Sequence, residues 1–279
     1  MAFTVKDYRK KTGFCIRFVL IALLVLLGGS GHSVYATKSS ASIKAGEQKK
    51  AEKGLKDNKK FLYYINASVS NTGTAEDKEL YSLAVKHDIV ARFYYLRFSF
   101  SESFAQIRTA QEILIKLYRS NITAEVDRAM LYLNRIAPEA VYSRDPRARL
   151  YLRLAYRNAK HAGIYKNMAD HYKLTLYSMR LYKYVEAMKK AKEAKRYAVS
   201  AMLQIEMEDK HLLEREYHSY DDIVKLIEKN SRSDIKEESQ AFHADSYYRF
   251  TGESLYQKVW DDPSLETFDP FKEYLDLTD

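Results

Sequence analysis

Apart from His32, six histidines occur in the chain: His87, His161, His171, His211, His218 and His243. None falls in the HExxH spacing that sets two imidazoles on one helical face for zinc. His211 and His218, two turns apart with Glu214 between them, come nearest to a ligand pair. An exposed helix surface is the simpler account of them. The only cysteine, Cys15, lies near the N-terminus, so no thiol nucleophile is expected in the body of the chain. There is no G-x-S-x-G elbow and no glycine loop fit to cradle phosphate. Carboxylates are plentiful but sit on helix surfaces, where no glycosidase pair can be picked out. A helical wall-lytic enzyme using one glutamate is the residual enzymatic reading. The sequence therefore predicts no catalytic, cofactor-binding or metal-binding residue and no enzymatic activity.

Two other patterns suit binding. Arg149, Arg153 and Arg157 recur every four residues and make one ridge, interleaved with Tyr151 and Tyr156. Tyrosine and arginine are the types enriched at interface hot spots. The plain alternative is a solvated arginine ridge over core tyrosines. Ala187, Ala191, Ala194, Ala198 and Ala201 form a seam of small residues at spacings of four and three. Such a seam admits a second helix at close range, either from the same chain as a hairpin or from another subunit. Lys189, Lys190, Lys192, Glu193, Lys195 and Arg196 are expected to cover the remaining surface. These arginines, tyrosines and alanines are the candidate interface residues, and self-association is one use of the seam.

The elements that carry these patterns are helical throughout. Between Pro146 and Pro263 the only breakers are Gly163 and Gly252. Ile164 to His218 has neither glycine nor proline, and as one helix it would span roughly 82 Å. The predicted fold is all-α: an elongated, bent rod built on one very long helix, with shorter N-terminal helices packed on it. Thr74 with Asp77 predicts a helix start, running to about Phe98. Ser99 with Glu102 predicts a capping box and a helix to about Arg119. Ser120 to Ile122 reads as a turn, Thr123 as the cap of a shorter helix, and Pro138 as its end. Asp145 before Pro146 is an N-cap followed by proline at the first helical position. Ser219 with Asp222 restarts a helix, and Asp234 begins another piece. Leu83, Ile89, Leu114, Leu117, Leu131, Leu133, Leu152, Leu154, Leu174 and Leu181 are the expected apolar core.

The ends of the chain supply an address. Lys6, Arg9, Lys10, Lys11 and Arg17 precede the apolar run Phe18 to Leu27, and Val34-Tyr35-Ala36 offers small residues for processing. This reads as a secretory leader over residues 1–36, cleaved between Ala36 and Thr37. Ten apolar residues fall short of the 20 or so that cross a bilayer. No later stretch resembles a membrane span. Residues 37–73 read as a basic, flexible or partly helical segment, 74–252 as the helical domain, and 253–279 as an acidic extended tail. The formal charge is +9. The leader's basic residues and the eight lysines of residues 37–60 account for all of it, so residues 61–279 are neutral. That balance, with export, argues against a nucleic-acid partner. A mature chain without cysteine fits a bacterial periplasm.

Four segments carry a family resemblance: Ile136-Ala137-Pro138-Glu139-Ala140-Val141-Tyr142-Ser143, Ala148-Arg149-Leu150-Tyr151-Leu152, Leu176 to Tyr184, and Ala191 to Ala198. Through them the chain resembles the flagellar coiling proteins of spirochaetes, which are sheath components of the periplasmic flagellum. The resemblance implies an elongated helical protein without enzymatic activity. It also implies partners in the flagellar filament core and other sheath proteins, and a role in imposing the coiled filament shape that supports motility. A periplasmic helical scaffold unrelated to flagella is the alternative.

Overall fold

The stretch without proline folds back on itself. The computed structural model describes residues 40–143, 145–207 and 219–276, with side chains from residue 45. Two compact units are distinguished, Met1–Ile43 and Lys44–Asp279, and the second holds the helices and cores that concern function. The leader, with Ala36 and Thr37, lies outside the described residues, as do His211, Glu214 and His218. The helices are α1 (Ser40–Thr72), α2 (Ala75–Leu96), α3 (Phe100–Tyr142), α4 (Pro146–His171), α5 (Tyr177–Glu206), α6 (Tyr220–Asn230), α7 (Lys236–Ser246), α8 (Leu255–Trp260) and α9 (Asp269–Asp276). A short 3₁₀ turn, Pro263–Leu265, separates the last two. No strand occurs among the described residues.

The single long helix expected over Ile164 to His218 is not formed. Helix α4 ends at His171, residues 172–176 turn, and α5 runs from Tyr177 to Glu206. The longest described helix is instead α3, with 43 residues. Nothing in the local sequence forces the break, so packing must. Reversal brings the alanines of α4 against those of α5, and helix propensity is a weak prior beside such burial. Arg180, itself buried, donates from Nε to the carbonyl of Ala169 at 3.2 Å and satisfies part of the exposed end of α4. Ala187, Ala191, Ala194, Ala198 and Ala201 are all fully buried within this chain. Ala194 packs with Ala129 of α3 and Ala159 of α4. Ala198 and Ala201 lie with Ala148, Leu152 and Ala155. The seam is occupied by the chain's own helices and presents no surface to a second subunit.

Two large apolar cores result among the described residues, beside two smaller clusters. The first gathers Phe61, Ile65, Tyr81, Ile89, Leu114, Leu117, Tyr118, Leu181 and Tyr184 from α1, α2, α3 and α5. The second gathers Tyr132, Leu133, Ile136, Leu152, Met202, Leu203, Ile227 and Phe242 from α3, α4, α5, α6 and α7. Leu83 and Leu154 are half-buried. Leu131 and Leu174 are 66% and 73% exposed, which corrects their placement in the core. Leu131 falls on the outer face of α3, and Leu174 falls in the turn that interrupts the expected single helix.

Several starts form where the sequence places them. Thr74 with Asp77 and Ser219 with Asp222 make reciprocal capping boxes. Asp145 Oδ1 accepts from the backbone N–H of Arg147 at 2.8 Å and of Ala148 at 3.4 Å. Ser99 precedes α3 but makes no side-chain cap. Helix α3 passes straight through Ser120 to Thr123 and through Pro138. There Ser120 and Thr123 bond back to the carbonyls of Leu117 and Arg119 instead of capping a new helix. The described part of the tail, residues 253–276, is not extended. Val259 and Leu265 join the first core, and on α9 Phe271 and Tyr274 meet Phe93 of α2 at 5.3 Å between ring centres. Residues 40–72, expected to be flexible or partly helical, are one helix, which is buried on one side from Ala51 onward. Gly54 permits that approach: a Cβ there would stand 2.8 Å from Cγ2 of Ile107.

Ala194→Leu should destabilise the protein by about 1–3 kcal/mol through overpacking, read as a lower urea midpoint by circular dichroism. An unchanged midpoint would mean that the seam is not filled from within.

Candidate functional site

Between the two cores, Met188, Lys192, Lys195, Val199 and Met202 of α5 follow one line at spacings of four and three. The two lysines thus enter the interior with the apolar residues, which corrects the expectation that both cover the surface. Lys192 Nζ donates to Ser68 Oγ of α1 at 2.8 Å, and to Oδ1 and the backbone carbonyl of Asp245 of α7 at 2.6 and 2.9 Å. Lys195 Nζ donates to Asp245 Oδ2 at 2.9 Å and to Glu125 Oε2 of α3. Ser68 also donates to Asp245 Oδ1, Thr72 to Glu125 Oε1 at 3.2 Å, and Arg128 to Glu125. Four helices, α1, α3, α5 and α7, meet in this one network. Burial pushes the Asp245 carboxyl up, but the ammonium groups of Lys192 and Lys195 together outweigh it and hold it far below the usual carboxylate range. Burial lowers the Lys192 ammonium, only partly offset by an Asp245 that it shares with Lys195. All three N–H bonds of Lys192 are committed, so the network ties helices together.

A second tie closes the α4–α5 hairpin. Asp170 accepts from Arg119 at 2.8 Å, from Lys166 at 3.1 Å and from the Tyr184 hydroxyl. Among the described residues no group of three His, Cys, Asp or Glu side chains is placed to hold a metal ion. Three of the described histidines bond within the bundle: His171 to the carbonyl of Asn167 on its own helix, His87 to Gln106 of α3, and His243 to the carbonyl of Tyr220 of α6.

The outward surface is where other molecules can be met. Arg149, Arg153 and Arg157 are exposed along one side of α4. Arg149 Nη2 donates to the carbonyl of Val141 at 2.8 Å, joining the ridge to the end of α3. Val141, Pro146, Arg149, Leu152 and Arg153 line a cleft of about 450 Å³. Tyr142 beside it is 84% exposed, and Leu150 is exposed as well. Tyr151 and Tyr156 turn inward: Tyr151 stacks on Tyr197 with ring centres 6.3 Å apart, and the Tyr156 hydroxyl donates to Asn134 Oδ1 at 2.7 Å. The structure therefore separates the sequence-predicted residues into an exposed arginine ridge, two half-buried tyrosines and a fully internal alanine seam. Sequence reasoning missed the charged network, whose signal was the phase of Lys192 and Lys195 with Met188 and Met202. It also missed a cleft of about 470 Å³ where Lys50, Lys53, Asp57 and Arg108 meet Phe104 and Tyr177.

A helical bundle with a charged network in its interior and an exposed arginine ridge beside apolar side chains is the class of protein these features define. The chain belongs to the family described as surface protein adhesin OmpL37, whose family model matches residues 45–272. No curated protein and no solved structure matches it. No described helix is long and apolar enough to cross a membrane.

Lys195→Met should cost about 3–5 kcal/mol, because it leaves Glu125 and Asp245 buried without their shared cation. The thermal midpoint should fall by about 10 °C. In the unaltered protein, Asp245 titrates lower when folded than its unfolded value of about 3.9. Its contribution is therefore present above that pH and lost progressively as the pH falls below about 4. The variant should lose less stability than the parent between neutral pH and pH 3, since protonation relieves buried carboxylates left with one cation each, Lys192 for Asp245 and Arg128 for Glu125. Equal midpoints for the two proteins would contradict the role given to Lys195.

Proposed function

We propose that the protein is an exported, non-enzymatic adhesive protein of the cell envelope, which binds through the arginine ridge of α4 and the apolar residues at the end of α3. The family match over nearly the whole described chain carries this reading. The surface supports it. Arg149, Arg153 and Arg157 stand beside exposed Val141, Tyr142 and Leu150, the mixture of cationic and apolar groups found at binding hot spots.

A second reading is the sheath role: a coat along the periplasmic flagellar filament that favours one curvature by binding it better. One observation favours it. The segments that carry the flagellar resemblance hold exposed Val141, Tyr142, Leu176, Met179 and Tyr182, side chains available to a filament surface.

Protease treatment of intact cells separates the two. The adhesive reading expects the protein to be cleaved on intact cells, and cell attachment to fall about tenfold in the triple variant Arg149→Ala, Arg153→Ala, Arg157→Ala, whose stability should stay within about 0.5 kcal/mol of the parent. Protein that is protected until the outer membrane is opened, and that sediments with sheared flagella, would overturn it in favour of the sheath.

A further inference from the structure

Lys49, Lys53, Lys56 and Lys60 recur at spacings of four, three and four, which places them within one narrow sector of α1. The opposite side of the helix, through Ala51, Gly54, Asn58 and Ile65, is the buried one. All four lysines, with the flanking Lys50 and Lys59, are exposed. None of the six is drawn into an ion pair with a described residue. Some lysines elsewhere have carboxylate partners, namely Lys166, Lys189, Lys190, Lys192 and Lys195. Exposed ones without an ion pair to a described residue, such as Lys116, Lys160, Lys225 and Lys229, are spread over three other helices. The exposed side of α1 between Lys49 and Lys60 therefore carries six ammonium groups against one exposed carboxylate, Glu52.

Both ends of this stripe are elaborated. Toward its start, Lys50 and Lys53 face the cleft that also holds Arg108. Toward its end stands Tyr63, 59% exposed, stacked on Tyr248 with ring centres 5.7 Å apart and planes 22° from parallel. Tyr248 holds this position at a φ of 57°, a left-handed backbone conformation that bulky residues rarely adopt. The two tyrosines border a groove of about 280 Å³. From Lys49 to Tyr63 the track is about 21 Å long.

We propose that this face of α1 binds a linear sulfated polysaccharide. Ammonium groups repeated along a helix suit a polymer with repeated anionic groups, and the tyrosine pair offers an amphipathic ring face on which a sugar can lie. A membrane-docking helix would instead carry large exposed apolar side chains among its lysines. Between Ala45 and Lys60 there are none. The inference rests on the reading of an exported protein, since such polymers are met outside the cell.

Heparin is the probe. The purified chain should bind it in titration calorimetry, tightly at low salt and much more weakly as salt rises. Fully desulfated heparin should bind poorly. Substituting Lys49→Gln, Lys53→Gln, Lys56→Gln and Lys60→Gln together should weaken binding at least about tenfold. Removing the same charge from exposed positions elsewhere, with Lys116→Gln, Lys160→Gln, Lys225→Gln and Lys229→Gln, should leave it within about twofold. Tyr63→Ala should cost about threefold, and the loss should persist at high salt. Absence of heparin binding, equal loss in the two lysine sets, or equal affinity for desulfated heparin, short duplex DNA or anionic vesicles would each overturn the proposal. Those outcomes leave the adhesive reading intact, because that reading is decided by surface exposure and attachment on whole cells.

Discussion

The fold depends on two lysines and two carboxylates that share one dry space. Lys192 and Lys195 enter from α5, Glu125 from α3 and Asp245 from α7, while Ser68 and Thr72 of α1 complete the contacts. Charge carried out of water is expensive, and it is offset only when partners and hydrogen bonds are complete. Each of these groups has its partners only if four helices lie in one register. The apolar cores on either side supply most of the driving force but tolerate sliding, since hydrophobic contact is not directional. The network supplies the direction. The α4–α5 hairpin depends on it in the same sense: reversal at residues 172–176 sets the alanine seam against α4 and leaves the face with Lys192 and Lys195 toward α1, α3 and α7.

How much of the fold was legible in the sequence depends on how local each signal is. The caps at Thr74, Asp145 and Ser219 involve residues three or fewer positions apart, and they form as their side chains dictate. The all-helical class is carried by the same short-range information. The reversal at Tyr172 to Leu176 was hidden because no proline or glycine marks it; a long-range contact between two alanine faces decides it. Ser120 and Thr123 illustrate the converse. They are residues that can cap a helix, but the continuing packing of Ile122 and Asn121 in the interior keeps α3 intact, so their hydroxyls bond back to it.

The binding surface was partly legible. The four-residue period of Arg149, Arg153 and Arg157 fixes them on one face, and the structure leaves that face exposed. The alanine seam was legible as a seam, but its occupant was not, because small residues fit an intrachain helix and a partner helix equally well. Lys192 and Lys195 were the hardest to place. Lysine is seldom fully buried, and only the phase of these two with Met188, Val199 and Met202 betrays them. The lysines of α1 share their residue type and have the opposite fate: they point away from the buried side of their helix and make no ion pair with a described residue. The division of cations between an internal tie and an outward face underlies both the architecture and the proposed binding.

Native-state amide hydrogen exchange tests the central claim most directly. If the charged network registers the bundle, amides of α5 around residues 188–202, α3 around 121–133 and α7 should be the slowest in the chain, and under increasing denaturant they should open together as one unit. Exchange across the middle of α5 as fast as in α8 and α9, or opening of α7 well before α3 and α5, would contradict it.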